Sequence, residues 1–162
     1  MEAGRPGEHG EPDSTAAAVL TASRALLAVV ARSLGPAMEQ VTLPQFRVLV
    51  VLSSAGRPVR SGELAAALGV HPSTFSRTAD RLVAGGWVRR AANPGSRRET
   101  FIELTSQGSA LVDRVTRRRH AEISDIMSRL SSQERAEVRA GMQAFARAAG
   151  EPPVGDLRTL GL

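Results

Sequence analysis

The 162-residue sequence predicts a mainly α chain with a small β-wing, and three observations carry the prediction. Long stretches near both ends repeat apolar residues every three or four positions, the period of a helix with one buried side. Two shorter helical patterns meet across Gly69-Val70, which leaves room only for a tight turn. A segment rich in β-branched and aromatic residues then doubles back across Asn93-Pro94-Gly95-Ser96, a turn-forming run. Helix, turn, helix and hairpin in that order, over roughly residues 57–105, read as a winged helix-turn-helix flanked by N- and C-terminal helices.

Taken in order, residues 1–14 read as a disordered arm, charged and without periodicity. From Thr15 a helix is expected, with Val19, Leu20, Leu26, Leu27, Val30 and Leu34 on one side and Gly35-Pro36 as its stop. The second helix starts near Thr42, which has capping-box spacing to Gln45, and Pro44 falls in the first turn, where a missing N–H does little harm. Phe46, Leu49, Val50 and Leu52 are its apolar side, and Gly56 lies just past its end. The third helix, capped by Ser61 or Arg60, turns Leu64, Ala65 and Leu68 inward and stops at Gly69. The fourth begins at His71 with Pro72 in its first position, turns Phe75, Ala79, Leu82 and Val83 inward, and ends at Gly85-Gly86.

Two strands, 87–91 and 100–104, form the hairpin, basic toward its tip and apolar at its base. The fifth helix, 106–130, carries Leu111, Val112, Val115, Ile123, Ile126, Met127 and Leu130 as its stripe. Ser131 and Glu134 repeat the capping-box spacing and open a sixth helix with Val138, Met142 and Phe145 inward. Residues 150–162 read as a tail, and the winged unit proper as 41–105.

Charge singles out the same segment. Every one of the 21 basic residues is Arg. Residues 57–105 hold eight of them against four acids, whereas the rest of the chain is nearly balanced, with 13 Arg and 12 acids. Concentrated positive charge is the footprint of phosphate binding. Within the fourth helix, Thr74, Arg77, Thr78 and Arg81 fall at i, i+3, i+4 and i+7 and so share the face opposite Phe75, Ala79 and Leu82. Hydroxyls and guanidinium forks are the groups that read base edges in a major groove. Ser73 and Thr74 add free backbone N–H groups suited to a phosphate oxygen. In the hairpin, Arg97 and Arg98 lie at or near the tip, where a guanidinium can enter a minor groove, while Arg89 and Arg90 suit phosphates or bracing of the wing. Arg60 flanks the same surface, and Asp80 is expected to orient Arg77 or Arg81.

Here a resemblance becomes specific. Asp80-Arg81-Leu82-Val83-Ala84-Gly85-Gly86-Trp87-Val88, followed by an Arg-bearing hairpin and Leu104-Thr105-Ser106-Gln107-Gly108, resembles the MarR family of bacterial winged helix-turn-helix regulators, over about residues 15–149. The resemblance implies a homodimer built by helices at 15–40 and 106–149, double-stranded DNA as partner, and Arg98 in a minor groove. It also implies a small aromatic or phenolic ligand, for which the five aromatic residues of the chain give no separate support. On this reading Leu20, Leu27, Val115, Arg119, Ile126, Val138, Met142 and Phe145 are the dimer-interface residues. Arg119 falls on the apolar stripe of the fifth helix and is expected to face the dimer interface or an inter-helix cavity, pairing with Glu122 or with a partner-chain acid. Ser96 stands where the family's wing usually has a bracing Asp, and His71 where a Ser is more usual as cap.

Other classes find less in the residues. Without cysteine there is no disulfide, thiolate zinc site or thiol switch, and His9, His71 and His120 are too scattered for a metal. No catalytic grouping or phosphate loop stands out, so neither an enzyme nor a cofactor is expected. No apolar run approaches the roughly 18–20 residues that span a bilayer, and the start lacks a signal-peptide pattern; a cytoplasmic protein with no membrane partner is expected. The expected function is a sequence-specific repressor on a pseudo-palindromic operator, released by a ligand; the alternative is a winged-helix module that binds another protein.

Overall fold

The computed structural model describes residues 11–93 and 96–150, and side chains for 14–91 and 100–150. Its elements are α1 (Glu11–Met38), α2 (Leu43–Ala55), β1 (Val59–Arg60), α3 (Ser61–Ala67), α4 (Pro72–Ala84), β2 (Val88–Asn93), β3 (Ser96–Leu104), α5 (Ser106–Ser128) and α6 (Ser132–Ala148). This is the mainly α, winged helix-turn-helix architecture expected from the sequence.

Local signals set most boundaries. Thr42 caps α2 in a reciprocal box with Gln45, and Gly56 closes it at φ 61° in the left-handed region that a side chain disfavours. Ser131 and Glu134 form the same box at the start of α6. Arg60 rather than Ser61 is the N-cap residue of α3, without a side-chain bond. Ser61 Oγ instead donates to Thr100 O at 3.1 Å, which ties α3 to β3.

One apolar cluster holds the unit together. Leu49 of α2, Leu64 of α3, Leu82 of α4, Ile102 of β3 and Leu111 of α5 are its most fully enclosed side chains. Burying a side chain of this size stabilises by about 1.5–3 kcal/mol relative to leaving it in water. The sheet has the order β1-β3-β2, all antiparallel, with Val59 opposite Ile102 and Val88 opposite Leu104.

The Gly85-Gly86-Trp87 and Leu104-Thr105-x-x-Gly108 segments meet at one junction. Thr105 Oγ1 donates to Gly86 O at 2.7 Å and accepts from Gly108 N at 3.2 Å, so it caps α5 and anchors the end of α4 together. A Cβ on Gly108 would lie 2.2 Å from the Trp87 carbonyl oxygen. Only a hydrogen fits there, which is why a glycine stands at this position.

Several expectations need correction. Gly35-Pro36 does not stop α1, which starts before Thr15 and runs through Pro36 to Met38. Pro36 removes one hydrogen bond in the last turn, and packing of Leu34, Ala37 and Met38 on the core offsets that loss. Residues 11–14 of the expected arm are therefore helical; residues 1–10, and 151–162 of the expected tail, lie outside the described residues. The view that no run reaches spanning length also changes: α1 over Ser14–Met38 is long and apolar enough by length and composition, although Val29, Ser33 and Ala37 on it are buried against protein. The two-residue strand β1 was not expected, being too short to show a period. Val83 is exposed, since Phe75, Ala79 and Leu82 fill the core side of α4. α6 buries none of its residues within the chain, so Val138, Met142 and Phe145 point outward.

Candidate nucleic-acid interface

Both ends of α4 are fixed. His71 is its N-cap, with Nδ1 accepting the Ser73 N–H at 3.3 Å, and Pro72 follows at the first position. At the other end Gly86 takes φ 73°, and Trp87 N donates to Leu82 O at 3.0 Å. With Phe75, Ala79 and Leu82 buried, the opposite face turns outward and exposes Ser73, Thr74, Arg77 and Arg81. Thr78 belongs to the same face but is half-buried, and its hydroxyl donates back to Thr74 O at 3.2 Å. Arg77 and Arg81 have no ion-pair partner among the described residues, so both guanidinium forks are available to an external anion or base.

Asp80 does not orient those two arginines. It pairs with Arg90 of β2, linking α4 to the base of the hairpin. Arg89, directly opposite Glu103 in the register, pairs with it at 2.5 Å. Both arginines thus make ion pairs at the base of the hairpin while keeping exposed side chains. The sequence carried no local sign of the Asp80–Arg90 contact, because the nine residues between them include the end of α4 and a turn. Arg60 lies with its guanidinium carbon 5.8 Å from the Phe101 ring centroid and its Nε 3.9 Å from Glu63. Arg57 stands 3.6 Å from the same carboxylate. A cleft of about 550 Å³ opens between α3, α4 and the sheet, with Arg60, Phe75, Ser76 and Arg90 on its walls.

The hairpin closes with Asn93 opposite Ser96, and a register irregularity falls between Ala92 and Asn93. Its strands are longer than the sequence implied, so Arg97 and Arg98 lie within β3 rather than in the connecting turn. The side chains of Ser96, Arg97 and Arg98 lie outside the described ones, as do Pro94 and Gly95 altogether.

A second, apolar surface lies on the outer helices. Leu20 and Leu27 of α1, Ile126 of α5, and Val138, Met142 and Phe145 of α6 are all exposed, Leu27 at 68% and Phe145 at 56%. Val115, expected with them, instead packs inside the chain's own core, because it follows Leu111 on the side of α5 that meets α1 and α2. Arg119 is half-buried between α1 and α5, and its Nε donates to Ser33 Oγ at 3.3 Å. Burial lowers its pKa from the ordinary arginine value. It does not pair with Glu122, whose carboxylate is held by Arg32 at 2.8 Å and approached by Arg118 at 3.7 Å.

Comparison with known proteins places this geometry. A family model described as the MarR family matches residues 39–99, from the end of α1 into β3. The HTH-type transcriptional regulator PecS of Dickeya dadantii is 35% identical over 98 residues, 59% of each chain. The multiple antibiotic resistance protein MarR of Escherichia coli is 37% identical over 75 residues, 45% of this chain and 50% of that protein. The chain therefore spans between half and two thirds of the length of these curated relatives. The crystal structure of RV1404 from Mycobacterium tuberculosis is similar over far more: 41% identity, 90% of this chain, 98% of that one and a TM-score of 0.73. The match falls on the helix-turn-helix and its wing, so this part of the chain is similar to the MarR family, and the PecS relative is named as a transcriptional regulator.

Proposed function

We propose that the protein is a sequence-specific transcriptional regulator that binds double-stranded DNA as a homodimer. The observation that carries this reading is the outer face of α4, where Ser73, Thr74, Arg77 and Arg81 are exposed and both arginines are without an ion-pair partner among the described residues. Two such helices related by a two-fold axis would enter successive major grooves about 34–36 Å apart, so the preferred operator is an approximate palindrome. Arg97 and Arg98 of each wing would reach the flanking minor grooves. The exposed apolar residues of α1, α5 and α6 support a partner copy on these helices. Bound at a promoter, the dimer would exclude polymerase, which makes repression the working mode. A ligand held between the dimer helices and the winged unit would release DNA only so far as it favours one spacing of the two α4 helices over another. The protein acts in the cytoplasm on this reading, and no catalytic step is assigned to it.

The test is a gel shift with the DNA upstream of the protein's own coding region at two salt concentrations. Binding should weaken steeply with salt, because each neutralised phosphate releases counterions. Thr74→Ala and Arg77→Ala should relax preference for that DNA over an unrelated duplex. Weak binding that ignores salt would favour the module that docks on another protein.

A further inference from the structure

The basic run Arg117-Arg118-Arg119 has no part in the α4 surface, yet the fold gathers it with other charges at the seam between α1 and α5. Arg32, Arg114, Arg117, Arg118 and Arg119 lie along this seam, and Glu122 is the one carboxylate that pairs there among the described residues. Glu122 already serves Arg32 and Arg118, while Arg114 and Arg117 have no partner among the described residues. Arg119, one turn away, carries a partly desolvated charge answered among the described residues only by the Ser33 hydroxyl. A desolvated cation without a counter-charge is costly, so the seam as it stands lacks negative charge.

The space for that charge is present. A groove of about 300 Å³ runs along the seam, with Arg114, Arg117 and Arg118 on one wall and Ser33 and Gln40 on the other. That volume is at the lower end for small-molecule sites. Buried Leu111 and Val115 contribute an apolar floor. The C-terminal carbonyls of α1, which would repel an anion, are occupied: Pro36 O accepts from Gln40 Nε2 at 3.3 Å, and Ala37 O accepts from the backbone of Gln40 and Val41. Planar guanidinium groups suit phosphate oxygens, and a phosphate monoester carries about two negative charges at neutral pH, closer to the local excess than a single carboxylate.

We infer that the α1–α5 groove is a binding site for a small phosphate monoester, its phosphoryl oxygens held by Arg114, Arg117 and Arg118 and its organic part resting on Leu111 and Val115. The inference stands on the seam alone and is independent of the DNA reading.

Phenyl phosphate is the probe, titrated calorimetrically into the full chain beside benzoate and inorganic phosphate. Saturable one-to-one binding of phenyl phosphate is expected, with benzoate weaker because it carries one charge. Arg114→Gln with Arg117→Gln should weaken phenyl phosphate about tenfold or more, the loss of charge-assisted hydrogen bonds, with circular dichroism and sedimentation mass unchanged. Absence of saturable binding, benzoate binding as tightly, or an unaffected double variant would each overturn the site. So would a double variant that dissociates into single chains, since the seam would then belong to a partner copy. Equal losses of phenyl phosphate and DNA affinity in the double variant would also overturn it, by placing the seam in the DNA surface; a failed gel shift by the wild-type chain would leave it standing.

Discussion

Asp80, on the last turns of α4, forms an ion pair with Arg90 on the first strand of the hairpin, so α4 and the wing are joined by a charge contact as well as by the shared core. With Arg89–Glu103 beside it, the bracing sits at the base of the wing, where Ser96 cannot provide it nearer the tip. Both side chains of the Asp80–Arg90 pair remain about half-exposed, at 62% and 49%, so water screens much of their attraction. Asp80→Asn should therefore cost only about 0.2–1 kcal/mol of stability. Its effect on DNA affinity should be larger than that, because the wing loses its fixed angle to α4. Urea midpoints and gel shifts on the same preparations decide it: equal losses in both would reduce the pair to an ordinary surface contact.

Arg98→Ala tests the wing. A phosphate or minor-groove guanidinium contributes to affinity across all sequences, so the variant should bind every duplex more weakly and the slope of log affinity against log salt should shrink by about 1. A variant that keeps the wild-type slope would remove Arg98 from the interface.

Gly108→Ala addresses the junction under the wing. The new methyl would meet the Trp87 carbonyl oxygen at 2.2 Å, backbone against backbone, with the Leu104 side chain at 3.0 Å. Relief requires the start of α5 to move away from β2, and a destabilisation of roughly 1–3 kcal/mol is expected, typical of overpacking. A chemical-denaturation midpoint equal to wild type would contradict the close approach.

Exposed Leu27 and Phe145 test the partner copy. Leu27→Ser with Phe145→Ser should halve the mass seen in sedimentation without lowering the helix content of each chain, since neither side chain is buried within the protomer. A wild-type protein that sediments as a single chain would end the homodimer reading, and with it the palindromic operator.

Acid should act on α6 through its cap. The Glu134 carboxylate accepts the Ser131 N–H at 2.7 Å, and this bond holds its pKa below the ordinary 4.5. The charged form is thus favoured in the folded state, so the cap is at full strength above about pH 4.5 and is lost as pH falls through the lowered folded value. Amide exchange in the first turn of α6 should quicken over that acid window in the wild type. In Glu134→Gln the step should vanish; its persistence would place the acid sensitivity elsewhere.

The sequence by itself determined the six helices in their order, the hairpin and the resemblance to the MarR family. Each helix start that relies on neighbours three residues apart, Thr42 with Gln45 and Ser131 with Glu134, was legible because capping is a local bond. So was the outward face of α4, because a period of 3.6 residues places Thr74, Arg77 and Arg81 opposite Phe75, Ala79 and Leu82 without reference to anything else. Only the tertiary structure decided what each apolar or charged side meets. Val115 and Ile126 share one stripe, yet the first is enclosed by its own chain and the second faces out, because α5 outruns the elements packed on it. Asp80 found Arg90 rather than Arg77, and Glu122 found Arg32 on α1 rather than Arg119, because both acids lie where a second element crosses. Spacing along a chain fixes which residues share a face; the partner of that face is set by how helices and strands pack in space, which no local period encodes.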